Sequence, residues 1–223
     1  MKKTLRLLAL LLVPLLACAC SQPQGLNAAP SFQLPEKLQT LENGEPALKV
    51  YVVDAEQVET MPLEDYLCGV LAGEMRSDWP LEALKAQAIL ARTFVLKFMA
   101  EKESRYPGAD ISTDVEEAQA YDAAAVDDRI RRAVAETRGQ VLVSDGTLIY
   151  AWFHAHSGGT TAGAKEGLNW KAAEPGYIKI APGQESDDAP ADAKAWQASF
   201  TAEEIIRAAN AAGAAVQTVS GAR

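Results

Sequence analysis

Leu63-Glu-Asp-Tyr-Leu-Cys-Gly-Val-Leu-Ala-Gly-Glu74 and, after Met75 to Pro80, Leu81-Glu-Ala-Leu-Lys-Ala-Gln-Ala-Ile-Leu-Ala-Arg92-Thr93 decide how this chain folds. Leu63, Tyr66, Leu67, Val70 and Leu71 recur at i, i+3, i+4, i+7 and i+8, which predicts an amphipathic helix with Pro62 at its first turn. Glu74 is the next position on that stripe. Leu81, Leu84, Ala88, Val95 and Met99 predict a second helix, and Arg92 and Lys85 fall on or beside its apolar face. One carboxylate and two cations are therefore expected to point inward, and ionisable groups on a dry face usually have a chemical reason to be there.

Outward from this pair, Leu48 to Val53 reads as a strand by its β-branched and aromatic content. Ser77 or Asp78 is expected to cap the second helix ahead of Pro80. Tyr106-Pro-Gly108 ends the helical region, and residues 109–122 show no regular period. Val126, Ile130, Ala133, Val134 and Thr137 suit a third helix stopped by Gly139. Gln140 to Ser144 and Thr147 to Phe153 flank Asp145-Gly146 and predict a hairpin. The loop His154-Ala-His-Ser-Gly-Gly-Thr-Thr161 follows, and its paired glycines would let backbone approach a ligand closely. A last helical run covers Thr201 to Ala212. The expected class is α+β, helices packed beside antiparallel strands.

The chain has 223 residues, 48% apolar and 23% charged, enough for one domain with a sizeable core. Met1-Lys-Lys-Thr-Leu-Arg6 and the apolar run Leu7 to Leu16 form an export signal, too short to serve as a mature span. The run ends in Leu15-Leu-Ala-Cys18, similar to the bacterial lipobox, so Cys18 is expected to carry lipid; Cys20 is a second candidate, and ordinary cleavage near Ala19 is the alternative. The expected division is a signal at 1–17, a tether at 18–47 and a domain at 48–223. Loss of Lys2, Lys3 and Arg6 moves the net charge from −9 to −12, which argues against nucleic acid as a partner. Cys68 is then left alone in the folded part, without a disulfide framework, and reads as a packing residue.

Several blocks, in order, resemble the stage II sporulation protein D family (SpoIID/LytB domain). They are Leu63 to Met75, Trp79 to Phe94, Gln119-Ala-Tyr121, Phe153-His-Ala-His-Ser-Gly-Gly-Thr160, and Trp170 with Pro175-Gly-Tyr-Ile-Lys179. The resemblance runs from about Leu48 to Ala209, with the Glu74 and Ser157-Gly158-Gly159 blocks the most specific. Arg76 stands where the family usually has proline, and Phe94 replaces a commoner tyrosine. Relatives usually continue past the region of Trp196 to Phe200 into more strands, so the domain is expected to be incomplete at its C-terminal end.

The resemblance implies a peptidoglycan lytic transglycosylase with Glu74 as its catalytic acid. The position agrees with that role: a carboxyl on an apolar stripe loses hydration, which disfavours its charge and suits a proton donor. Lys85 and Arg92 would line the cleft and hold sugar or lactyl oxygens; the alternatives are a buried pair for Arg92 and a snorkelling side chain for Lys85. Tyr121 would stack on a sugar ring with Gln119 donating beside it, or both would simply anchor a loop. His154, Ser157, Gly158 and Gly159 would form a facing wall. His154 and His156 are the only histidines and supply half of a tetrahedral site, while Ser112 and Ala118 stand near positions where some relatives carry cysteines; no metal and no cofactor are expected. The implied partners are peptidoglycan, a membrane through the lipid anchor and a cell-wall amidase, the last because some family members are named amidase enhancers. A glycan-binding enhancer of an amidase, without catalysis, is the second reading.

Overall fold

A computed structural model describes residues 34–183, 191, 195 and 197–220. The chain divides into two compact units, one ending at Ala151 and the other beginning at Trp152, where the sequence suggested a single domain. The signal peptide, Cys18 and Trp196 lie outside the described residues.

The first unit is built on β2 (Pro46–Val52). One edge of β2 pairs antiparallel with β3 (Gln57–Pro62) along its length, from Ala47 opposite Pro62 to Val52 opposite Gln57. Its other neighbours are β1 (Gln39–Thr40), antiparallel at Pro46 and Ala47, and β4 (Ile111–Ser112), parallel at Val50 and Tyr51. β1 lies inside the stretch expected to be a tether, so Gln39 and Thr40, with Pro46 and Ala47, belong to the sheet. Alternation along β2 puts Leu48 and Val50 in the core and leaves Lys49 exposed.

β3 runs directly into α1 (Leu63–Glu74), where Glu64 and Asp65 in the first turn complement the helix dipole. All five residues of the predicted stripe, Leu63, Tyr66, Leu67, Val70 and Leu71, are buried. α2 (Leu81–Glu101) buries Leu84, Ala88, Ala91, Val95, Leu96 and Met99 against it. Pro80, with no side-chain cap, precedes this helix in place of Ser77 or Asp78. The reason is that proline's fixed φ starts the helix at Leu81, too far along for those side chains to reach its first amides. α3 (Asp128–Glu136) is capped by the Asp127 carboxylate, which accepts from the Arg129 and Ile130 amides, and it buries Ile130, Ala133 and Val134. Among the described residues no helix is long and apolar enough to cross a membrane.

The predicted hairpin exists but is short. β5 (Val143–Ser144) and β6 (Thr147–Leu148) pair around Asp145 and Gly146, whose φ values of 50° and 75° are those a tight two-residue turn needs. Pairing extends one bond further, from Ile149 N to Leu142 O at 3.2 Å, and then the chain leaves the ladder, so Tyr150 to Phe153 is not strand. The class is α+β, as the periodicity indicated.

The second unit has α4 (Ala164–Leu168), whose first amides are met by the Glu174 carboxylate, and α5 (Ala202–Ala211), closed by a capping box between Thr201 and Glu204. Trp152 and Trp170 meet edge to face at 5.0 Å.

Candidate active site

Glu74 ends α1, and Met75 after it turns extended while its amide still bonds Leu71 O at 3.0 Å. A helix C-terminus is an unfavourable place for a carboxylate. The segment Gln119 to Asp122 supplies the compensating donor: Ala120 N–H donates to Glu74 Oε1 at 2.8 Å. The same segment is tied one turn back, where Asp122 N donates to Gly69 O at 2.9 Å.

Two glycines one turn apart allow this approach. A Cβ on Gly73 would lie 2.6 Å from the Ala120 carbonyl carbon and the Tyr121 amide nitrogen, and one on Gly69 would penetrate the Tyr121 ring. Only a bare helix face lets a backbone run this close to its carbonyls. The spacing Gly69-x-x-x-Gly73 was the available signal for this contact, and reading the helix for its apolar stripe alone overlooked it.

Glu74 lines an open pocket of about 470 Å³ together with Ala72, Gly73, Met75, Arg76, Ser77, Asp78 and Ala125, a size suited to a small ligand. It is half-buried, not sealed among apolar side chains as the stripe suggested. The stripe ends at Leu71, and the residue one turn further emerges at the helix end. Oε2 has no hydrogen-bond partner among the described residues. The rim that follows is fixed by α3: Arg129 Nε donates to Ser77 O at 2.8 Å and Arg129 Nη2 to Trp79 O at 2.7 Å, while Ser77 also bonds the Asp127 carboxylate. On the rim itself Arg76 and Asp78 pair with each other.

The other predicted residues of this unit divide. Tyr121 joins Glu74 at the Gly69–Gly73 face, half-buried and stacked on Tyr66 at 5.5 Å; burial pushes its phenol up, so it stays protonated at neutral pH. Gln119 precedes Ala120 but is buried, its amide nitrogen and oxygen shut off from solvent and without hydrogen-bond partners, so this conformation does not present it to a sugar. Arg92 is 1% exposed and grips Glu64 with two bonds, Nε to Oε1 at 3.0 Å and Nη2 to Oε2 at 2.5 Å, with Nη1 donating to Gln140 O. It is the buried pair, not a cleft cation, because Glu64 at the start of α1 sits opposite it. Lys85 pairs with Glu82 at 2.8 Å and with Glu136 of α3 at 2.6 Å, which hold its charge in place on the outside of the helices. Cys68 is buried, and desolvation pushes its thiol up to about 11, which fits packing and not reactivity.

His154, Ser157, Gly158 and Gly159 belong to the second unit. Gly158 and Gly159 have φ of 69° and 103°, conformations that suit glycine, and Gly158 N donates to His156 Nδ1 at 3.1 Å. Gly183 N closes the loop on Gly159 O at 2.9 Å.

Residues 51–143 match the family described as SpoIID, stage II sporulation protein, a stretch that contains α1, Glu74, the Gln119–Tyr121 segment and α3. The chain carries a SpoIID-family domain. Stage II sporulation protein D of Bacillus amyloliquefaciens is 33% identical over 193 residues, 76% of this chain and 55% of that protein. The protein of the same name from Bacillus subtilis (strain 168) is 32% identical over 154 residues, 63% of this chain and 44% of its own length. An amidase enhancer of Bacillus subtilis (strain 168) is 35% identical over 112 residues, half of this chain and 14% of that protein. The chain thus spans about half the length of the stage II sporulation proteins it matches. The SpoIID match lies within the first unit, and the Bacillus amyloliquefaciens relative aligns over a longer stretch than that match.

Proposed function

We propose that this chain cuts peptidoglycan glycan strands between N-acetylmuramic acid and N-acetylglucosamine by lytic transglycosylation, with Glu74 as the single acid and base. The observation that carries this reading is the Glu74 carboxyl, anchored at Oε1 by the Ala120 N–H and lining an open pocket. An oxygen that already accepts a hydrogen bond serves as the carbonyl oxygen of the protonated acid, which leaves Oε2 to carry the proton. Oε2 gives that proton to the glycosidic oxygen as the bond to the muramic C1 breaks. The resulting carboxylate then takes the proton from the C6 hydroxyl as its oxygen bonds to C1. The product is a 1,6-anhydro ring, Glu74 is protonated again, and no water is consumed. One carboxyl suffices, unlike the paired carboxyls of hydrolytic glycosidases.

Purified sacculi test this. Glu74→Gln keeps an oxygen for the Ala120 N–H but cannot cycle a proton, and it is expected to lower release of anhydro-muropeptides by at least about a hundredfold. Equal release by the variant ends the reading. Likeness to an amidase enhancer favours a second reading, in which the chain binds glycan and stimulates a cell-wall amidase. In that case Glu74→Gln stimulates the amidase as well as the parent does, and neither releases anhydro ends. Either way the chain would work in the cell envelope, held by lipid on Cys18. Cys18→Ser should move it from the membrane fraction to the soluble fraction, and a variant that stays on membranes removes the anchor from the proposal.

A further inference from the structure

We propose that the indole of Trp79 is a saccharide platform at the rim of the Glu74 pocket, stacking on a pyranose ring of the same glycan. This rests on the lytic reading for its substrate. An exposed apolar side chain is common and says little alone. Trp79, 43% exposed, is set apart by its placement, its anchoring and its neighbours.

The pocket is lined by the continuous run Ala72 to Asp78, and Trp79 is the next residue. Its amide bonds Arg76 O at 3.2 Å and closes a turn. Two residue steps and one such turn keep the Trp79 Cα within about 14 Å of the Glu74 Cα, a span that a short oligosaccharide covers.

The backbone under the indole is held on both sides. Its carbonyl accepts from Arg129 Nη2 at 2.7 Å, and the same guanidinium reaches Ser77 O at 2.8 Å. Pro80 follows with its φ fixed and leads straight into α2. With the backbone already fixed, only the two side-chain torsions of the indole remain to be ordered when a ligand arrives, a small loss for so large a contact surface.

The neighbours select the class of occupant. In the same turn stand Arg76 and Asp78, their side chains 79% and 61% exposed and paired with each other. A lipid chain or an apolar peptide would leave these charges facing hydrocarbon. A pyranose ring meets both demands: its C–H face covers the indole, and its hydroxyl edge meets the ion pair and water.

The test uses the full chain carrying Glu74→Gln, so that nothing turns over, titrated calorimetrically with a soluble β-1,4-linked N-acetylglucosamine tetramer. Adding Trp79→Ala is expected to weaken binding roughly tenfold, and Trp79→Phe to hold it within about threefold, because a flat ring remains. Circular dichroism and the melting curve check that both variants are folded. Binding by Trp79→Ala equal to the parent overturns the platform. So does a folded Trp79→Phe that binds as poorly as Trp79→Ala, a parent that does not bind the tetramer, or a Trp79→Ala defect seen on sacculi but not on the tetramer, which would point to the stem peptide. Release of anhydro ends by the unmutated chain is scored separately. Without it, but with Trp79-dependent binding, the lytic reading fails and the platform stands; with it, and with Trp79→Ala binding like the parent, the platform fails and the lytic reading stands.

Discussion

A methyl group on Gly73 would sit 2.6 Å from backbone atoms of Ala120 and Tyr121, and backbone cannot swing aside as a long side chain can. Alanine gains about 0.5–1 kcal/mol over glycine inside a helix. Forcing apart two packed backbones costs about 1–3 kcal/mol, so overpacking wins. Gly73→Ala should therefore lower stability in urea by about 1 kcal/mol net. It should also lower release of anhydro ends by more than that loss implies, since the displaced Ala120 N–H no longer holds Glu74 Oε1. A variant of full activity would show that the 2.8 Å bond is incidental. The stripe and the family blocks singled out Glu74, although the stripe put it in a dry face and the structure leaves it half-buried at the helix end. Its donor was not, because a backbone amide carries no sequence signature and the segment around Ala120 has no periodicity.

Between elements, the Arg92–Glu64 pair joins α2 to α1, and the same guanidinium reaches Gln140 O beyond α3 and Val134 O within it, at 3.1 and 3.4 Å. Removing the cation leaves Glu64, 15% exposed, without its partner. Loss of one member of a buried pair costs about 3–5 kcal/mol, and the partial exposure of Glu64 puts Arg92→Ala at about 3 kcal/mol in urea unfolding. Arg92→Met combined with Glu64→Leu should recover most of that, since no orphan charge remains. If the double variant is as unstable as the single one, packing and not charge explains Arg92. Periodicity located α1, α2 and α3 because each buries one face on the others. It put Arg92 on the right face, yet spacing cannot tell a cation buried for a ligand from one buried for a carboxylate elsewhere in the chain. β1 and β4 escaped notice for a related reason: two-residue strands that borrow an edge of β2 have no pattern of their own.

Across the molecule, burial is uneven, and this sets what each unit should do in solution. The contiguous core of Leu48, Leu63, Tyr66, Leu67, Val70, Leu84, Val95, Met99, Ile111 and Ile130 lies wholly in the first unit. In the second, Ala164 is buried among the described residues, while α5 buries none of its residues. Long periodic segments made the first unit readable. The second offered only turn residues, a glycine loop and one isolated helical run, so the division at Trp152 was not legible. A ten-residue helix without a buried face rests on its capping box and its own hydrogen bonds, which are marginal at that length. Amides of α1 and α2 can exchange with solvent only when the core opens, close to the full unfolding free energy, whereas those of α5 need only local fraying. Hydrogen exchange read by mass spectrometry should show peptides from Leu63–Glu74 and Leu81–Glu101 protected for hours and the peptide covering Ala202–Ala211 exchanged within seconds to minutes. Protection of Ala202–Ala211 equal to that of Leu81–Glu101 would mean that something covers this helix, and the ranking of stability drawn from burial would be wrong.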